Sequence, residues 1–300
     1  MDWGKDMVDV RFMTFEQYHG KRNIGSTRIR VRNLLKHWKE ADIYKYGENP
    51  DVLIFQKVYM TGETYRSTAY KFHKYFPGTK IVDICDPDWL NAGTTKGCLI
   101  KETVDNVDAV VTSTDTLRDF ISQLTDKPVV TIKDRFIVDS VVAPKQHVGD
   151  AKSVVWFGYS HNAEVLKHAV KVFERFNLSL TVISDKDPFA YRWAVSDKYQ
   201  KRYTYLAYDE ATIMQDLRNH DICVLPNGMR VVDRYKSNNK TVKAWLAGLP
   251  VAHDAEQLEQ FLPARERNIE ALARWSEAKN EYDVRKSVEE YKELIERIQR

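Results

Sequence analysis

Glycine and proline are sparse, 12 and 9 residues in a chain of 300, and cysteine is rarer still at three. With 43% hydrophobic and 12% aromatic residues, this excludes a disordered, collagen-like or disulfide-stapled chain and leaves material for a sizeable core. The cysteines, Cys85, Cys98 and Cys223, are odd in number and lack metal-ligand spacing, so reduced intracellular thiols are expected. No run of 18 apolar residues occurs, and the opening MDWGKDMVDVRF has no basic region followed by an apolar one. No integral membrane segment is therefore expected, and the chain reads as cytoplasmic. Walker A and GxGxxG sequences are also missing, which weakens kinase and dehydrogenase readings. Without a GxSxG elbow, the eight histidines do not support a catalytic triad.

What is present is an alternation of short apolar runs with amphipathic stretches, the pattern of a parallel α/β sheet. Strands are expected at Val8–Phe15, Asp51–Val58, Lys80–Cys85, Val107–Thr114 and Pro128–Asp134. Near Ala143–Lys152 the sequence turns polar and irregular, and a second series follows, with strands at Ser153–Gly158, Ser179–Ser184, Thr204–Tyr208, Asp221–Pro226 and Leu249–His253. From Pro263 onward the spacing is helical, with Ile269, Leu272 and Trp275, then Val284, Val288, Tyr291, Ile295 and Ile298, as the apolar positions. The expectation is two Rossmann-like domains, residues 1–147 and 148–264, with parallel sheets facing a central cleft. Residues 265–300 would form helices packing back across both.

A net charge of +3 and a pI near 8.5 are too mild to require a polyanionic partner. One stretch stands out: Lys21, Arg22, Arg28, Arg30, Arg32, Lys36 and Lys39 occur with no acidic residue between them. Such a run reads either as a solvated helix face or as an anion site for phosphate or nucleic acid.

In open α/β sheets, ligands bind outside the carboxyl ends of the strands, so residues just after strands are the candidates. The most informative stretch follows DICVLP: a loop, then KSNNKTVKAWLAGLPV, Lys236–Val251, with a helix starting near Asn239 or Lys240. Backbone N–H groups, the positive helix end, Lys236 and Lys240 converge there, which suits a diphosphate. The alternative is that Ser237, Asn238 and Asn239 are an N-cap and Lys240 a solvated helix residue.

These segments, with GSTRIRVRNLL, DVLIFQK, KIVDICDPDW, VVTSTDTL, SVVWFGYSHN, LTVIS and DICVLPN, resemble the GT-B glycosyltransferases, in particular the large retaining family 4. The resemblance implies a second domain holding a nucleotide sugar, a UDP-sugar first among donors, a first domain presenting the acceptor, and no required metal. It assigns donor binding to Gly158, Tyr159, His161, Asn162, Tyr205, Asn227, Ser237, Asn238 and Asn239, and leaving-group stabilisation to Lys236 and Lys240. FGYSHN alone reads equally as a strand-to-helix turn, and Tyr205 equally as a core aromatic. The family's paired glutamates would fall at Tyr235 and Lys243, neither acidic, which puts the ribose contact and retention of stereochemistry in doubt.

In the first domain, Asp86-Pro87-Asp88 invites a metal-binding DxD reading, which the second phosphate-binding domain disfavours. Asp86 instead reads as a candidate for positioning or deprotonating an acceptor hydroxyl. Ser26, Arg28 and Arg30 read as contacts to a donor phosphate or anionic acceptor. The expected activity is metal-independent sugar transfer to a saccharide or to a hydroxymethylated or hydroxylated DNA base. The other class is a non-catalytic nucleotide-sugar or nucleic-acid binding module with the same fold.

Overall fold

The computed structural model describes residues 8–21, 23–61, 68–90, 98–139, 141–188, 203–228 and 230–300. It divides into two compact units. The first comprises the described residues up to Ile137, with Arg230–Ser237 and Asp283–Arg300; the second comprises the described residues of 138–228 with Asn238–Tyr282. The segment anticipated as a loop after DICVLP is thus split, and the C-terminal helices belong to different units.

The first unit is built on β1 (Val10–Thr14), β2 (Ala41–Ile43), β3 (Val52–Gln56), β4 (Thr79–Ile84), β5 (Ala109–Thr112) and β6 (Val129–Thr131). They form an all-parallel sheet in the order β2-β1-β3-β4-β5-β6. The sequence reading missed β2, a three-residue strand carrying Asp42. Within the central strands, Val52–Phe55, Ile81–Val82 and Ala109–Val111 are apolar runs because both sheet faces are covered. Val52 and Ile54 point to one face with Phe12, Trp38 and Ile81, and Leu53 and Phe55 point to the other with Val82 and Leu117. Each such buried side chain contributes about 1.5–3 kcal/mol.

Two helices of this unit place the candidate residues. The short α1 (Phe15–His19) is capped by Thr14, whose Oγ1 accepts from the Gln17 amide. The second, α2, joins an α-helical turn Gly25–Thr27, a π-helical turn Arg28–Arg32 and a further turn Asn33–Leu35.

The second unit has β7 (Ser153–Phe157), β8 (Ser179–Ser184), β9 (Tyr203–Ala207), β10 (Ile222–Val224) and β11 (Val251–Ala252). These are parallel in the order β11-β10-β7-β8-β9. The chain adds strands on one side of β7, then returns to the other, so the loops leaving β7 and β10 diverge at a topological switch point. The helix expected over Ala163–Phe176 is instead a 3-10 segment, Ser160–His168, followed by an α-helix, Val170–Arg175. The helix after the KSNN segment, α3, is Asn239–Leu246.

The terminal helices are α4 (Ala264–Glu281) in the second unit and α5 (Val284–Ile298) in the first. In α5 the expected stripe is inward: Val284, Val288, Tyr291 and Ile295 are buried. Tyr291 packs its ring 6.0 Å from Phe12 and 5.7 Å from Trp38. In α4 the expected stripe is not: Ile269 and Leu272 are 56% and 59% exposed, and the buried residues are Arg267, Ala271 and Ala278. Arg267 turns inward because its guanidinium donates to the carbonyls of Phe261, Leu262 and Gly149. All three cysteines are free thiols. Among the described residues no helix is long and apolar enough to cross a membrane.

Candidate functional site

The carboxyl end of the first sheet is organised by polar residues that terminate its strands. Gln56, fully buried at the end of β3, accepts through Oε1 from the Phe15 amide and the Thr27 hydroxyl. Its register partner on β4 is Asp83. Arg30, in the π-helical turn, donates from Nε to both Asp83 oxygens at 2.8 Å, and from Nη1 to Asp134 at 2.8 Å and the Ile132 carbonyl at 2.9 Å. Burial disfavours its charge, but Asp83, Tyr291 and Asp134 outweigh that and hold the guanidinium firmly protonated. Arg30 was expected to meet phosphate or acceptor. At 3% exposure it instead ties α2 to the sheet, because two buried carboxylates need a cation more than solvent does. Ser26 and Arg28, at the start of α2, are half-buried.

Lys57 follows β3 in the left-handed conformation (φ 55°), which costs a non-glycine residue about 1–2 kcal/mol. That conformation brings its ammonium 2.6 Å from Asp86 and 3.1 Å from Asp88, while the Tyr59 hydroxyl donates to Asp88 at 3.1 Å. Burial lowers the Lys57 pKa, but Cys85, Asp86 and Asp88 raise it further, so the net direction is upward. The two carboxylates of the DxD-like triplet therefore face a lysine, and Asp86 is an engaged acceptor, its side chain 34% exposed. Among the described residues no group of three His, Cys, Asp or Glu side chains is arranged to hold a metal ion. His19 lies beside this cluster, its ring 4.3 Å from that of Phe15. Its pKa is lowered by partial burial and by the charges of Lys21 and Lys57.

Of the anticipated basic run, Lys21, Arg32, Lys36 and Lys39 are exposed, Arg28 is half-buried and Arg30 is buried. Arg22 lies outside the described residues. The Arg32 guanidinium pairs with Glu16, which also accepts from the Ile24 amide.

Lys236 and Ser237 close the short segment that belongs to the first unit. Lys236 pairs with Asp233 at 3.0 Å, and Ser237 donates to Asp134 at 2.5 Å. Burial opposes ionisation of Asp233, yet bonds from Arg230 and Lys236 bring its pKa down to about 2. Ser237 is thus engaged away from the start of α3 and does not cap it.

In the second unit the switch point between β7 and β10 is occupied by Lys240. Its ammonium lies 5.5 Å from the centroid of the Trp156 ring. Gly158, directly after β7, has φ 153°, which disfavours any residue with a Cβ. A Cβ there would also stand 3.3 Å from the Trp156 ring and 3.4 Å from the Lys240 ammonium. Tyr159 and His161 stack at 5.7 Å, and the Ser160 amide donates to Asp185 at 2.7 Å, anchoring the loop to the end of β8. Burial raises the Asp185 pKa, but the bonds from Ser160 win and the net direction is downward. Asn162 donates its amide to the Tyr159 carbonyl, Asn227 is exposed after β10, and Asn239 opens α3. Asn238 makes no side-chain cap; its amide donates to the Tyr282 hydroxyl at 2.7 Å. Tyr205 donates to the Ser184 carbonyl at 3.3 Å.

One turn beyond Lys240, Lys243 occupies a position where the resemblance places a glutamate. It is buried, and its ammonium lies 3.0 Å from Glu210 and 3.1 Å from the Tyr208 hydroxyl. Glu210, with its side chain 48% exposed, puts a carboxylate near the end of β9. Sequence reasoning missed Glu210, Lys57 and Trp156, since nothing in their local patterns marks them. The left-handed turn at Lys57 and the Lys243–Glu210 pairing arise only from tertiary contacts.

No protein-family profile matches the sequence, and neither does the sequence of any curated protein. Solved structures do match. TarM superposes with a TM-score of 0.58 at 13% identity, covering 88% of this chain and 57% of TarM, so the chain spans little more than half of that protein. AviGT4, a glycosyltransferase involved in avilamycin A biosynthesis, gives 0.56 at 9% identity over 97% of this chain and 98% of its own. The DNA modifying enzyme beta-glucosyltransferase, studied with and without its substrate uridine diphosphoglucose, gives 0.54 at 8% identity over 96% and 99%. The fold is that of the GT-B glycosyltransferases. At such low identities the likeness speaks to the fold alone.

Proposed function

We propose that the chain transfers a sugar from a nucleoside diphosphate donor, a UDP-sugar first, to an acceptor hydroxyl without a metal. The observation that carries this reading is the Lys240 ammonium at the switch point of the second sheet, against Gly158 and at the start of α3. In the reaction the acceptor oxygen bonds to the anomeric carbon and loses its proton, while the bond from that carbon to the diphosphate breaks and its electron pair passes to the departing oxygen. A fixed cation and the positive end of a helix stabilise the charge that develops there. Gly158 lets the backbone approach the phosphates, and Glu210, held by Lys243, offers acceptors to the ribose hydroxyls. The family resemblance implies retention of the anomeric configuration, and the missing acids at Tyr235 and Lys243 count against it.

In the first unit, the Lys57–Asp86 pair and the neighbouring His19 are the polar groups that would meet an acceptor hydroxyl. A hydroxymethylated DNA base is favoured over a saccharide by the exposed Lys21, Arg32, Lys36 and Lys39. The beta-glucosyltransferase, which shares the fold over nearly its full length, is a DNA modifying enzyme. Transfer from UDP-glucose to duplex DNA containing 5-hydroxymethylcytosine, measured over a salt series beside saccharide acceptors, tests this. A DNA acceptor predicts turnover that falls steeply with salt through loss of phosphate contacts. Salt-insensitive transfer to a saccharide alone would replace DNA as the acceptor.

A further inference from the structure

We propose that the first unit carries a second ligand site, a cleft at the amino ends of β4, β5 and β6 that takes a small phosphate monoester bearing hydroxyl groups. The inference is independent of the donor reading above, and the cleft lies at the end of the first sheet opposite the Lys57–Asp86 pair.

The cleft measures about 590 Å³, within the range of small-molecule sites. It forms where three adjacent parallel strands are entered, with Thr79 and Lys80 opening β4, Asp108 just before β5 and Pro128 just before β6. Arg297 and Ile298, in the last turn of α5, border it. Gly78 fixes the entry to β4. The Thr79 amide donates to the Asp51 carbonyl at 2.9 Å, and a Cβ on Gly78 would stand 2.7 Å from that same oxygen.

The positive charge here is poorly compensated. The Lys80 ammonium donates to the His73 carbonyl at 3.0 Å, and the Lys127 ammonium donates to the carbonyls of Asp105, at 2.7 Å, and of Val107. A carbonyl satisfies the donor and leaves the charge in place. Among the described residues neither lysine forms a salt bridge, and the exposed Arg297 has no side-chain partner. Burial lowers the Lys80 pKa, Asp108 opposes, and Lys127 and Lys74 press it further down. An anion relieves cations that are partly desolvated and repel one another. Lys80 offers it a point charge, and Arg297 offers the planar fork that matches phosphate oxygens.

Asp108 narrows the class of ligand. Its Oδ2 accepts from the Lys80 amide at 2.8 Å, and a carboxylate in such a cleft opposes an anion unless that anion also brings donors. Hydroxyl groups are such donors, while Phe76 and Pro128 give a carbon frame an apolar surface to lie against. Phosphate, hydroxyls and a compact carbon frame together describe a sugar phosphate.

Calorimetry on the full chain, with glucose 6-phosphate and separately with inorganic phosphate, tests this. Wild type is expected to bind glucose 6-phosphate the more tightly. R297Q should weaken both probes about tenfold, the scale of a hydrogen bond to a charged group. D108N keeps an oxygen for the Lys80 amide but loses the carboxylate. It should weaken glucose 6-phosphate about tenfold and leave inorganic phosphate no weaker than in wild type. Urea midpoints of both variants should stay near wild type, which separates loss of a contact from loss of the fold. The proposal is overturned if wild type binds neither probe, or if R297Q binds both as wild type does, which would put the ligand elsewhere on the chain. Equal affinity for the two probes, unchanged by D108N, would overturn the sugar phosphate in favour of free phosphate.

Discussion

Lys243 and Glu210 form an ion pair in which the lysine is buried and the carboxylate is half in solvent, 3.0 Å apart. The lysine stands where the family resemblance calls for an acid, and it recruits an acid from the end of another strand. If Glu210 takes the ribose diol, E210Q should weaken UDP about tenfold, the scale of a hydrogen bond to a charged group. It should leave 2′,3′-dideoxy-UDP binding unchanged. Calorimetry with the two nucleotides measures this, and equal losses for both would remove Glu210 from the ribose.

Lys240 should act on the transition state more than on the fold. K240A is expected to lower kcat for transfer by about 10²–10³, the range for removing one fixed stabiliser of developing negative charge. Its urea midpoint should stay near wild type because the side chain is only half-buried. Steady-state kinetics and urea unfolding of the same preparation check both halves.

Arg30 is predicted to behave in the opposite way. R30M leaves Asp83 and Asp134 buried without their cation, and breaking such a pair by removing one partner costs about 3–5 kcal/mol. Urea unfolding should show that loss. UDP affinity, measured where the variant remains folded, should be unaffected, since Arg30 is not placed at the donor site.

Two buried histidines give the stability a pH dependence of definite sign. Burial lowers the pKa of His73 from 6.5 to about 4, against the opposing hydrogen bond to the Val58 carbonyl. His147 is likewise lowered to about 4, by burial first, with the bond to the Gly248 carbonyl opposing. The unfolded chain therefore binds more protons in this range, so these groups' stability is full above about pH 6.5 and is lost as pH falls toward 4. H73F should flatten that fall relative to wild type in urea midpoints taken between pH 7 and pH 4.

Much of the architecture was legible in the sequence because buried parallel strands are written as apolar runs. All ten expected strands are present. The stripe on α5 was legible for the same reason, since a helix covering a sheet must be apolar at helical spacing. The stripe on α4 misled because Ile269 and Leu272 have the right spacing on the exposed side, while small alanines and a hydrogen-bonded arginine face inward.

The site was legible only where it follows from topology. Gly158 directly follows β7 and Lys240 opens the helix after neighbouring β10, which sequence order suggests once the sheet is assumed. Arg30 was misplaced because a charge run does not reveal which member meets Asp83 across 53 residues. Lys57 and Glu210 were hidden because their partners are distant in sequence.

The central claim is that the second unit holds a nucleotide sugar through Lys240 and that its sugar is transferred. The most direct measurement follows a mixture of UDP-, GDP-, ADP- and dTDP-glucose by mass spectrometry, incubated with duplex DNA containing 5-hydroxymethylcytosine and with wild-type or K240A protein. The account predicts that wild type consumes UDP-glucose, releases UDP and adds a glucose mass to the DNA, and that K240A leaves the donor intact. Every donor persisting with wild type, or equal consumption by K240A, would contradict it.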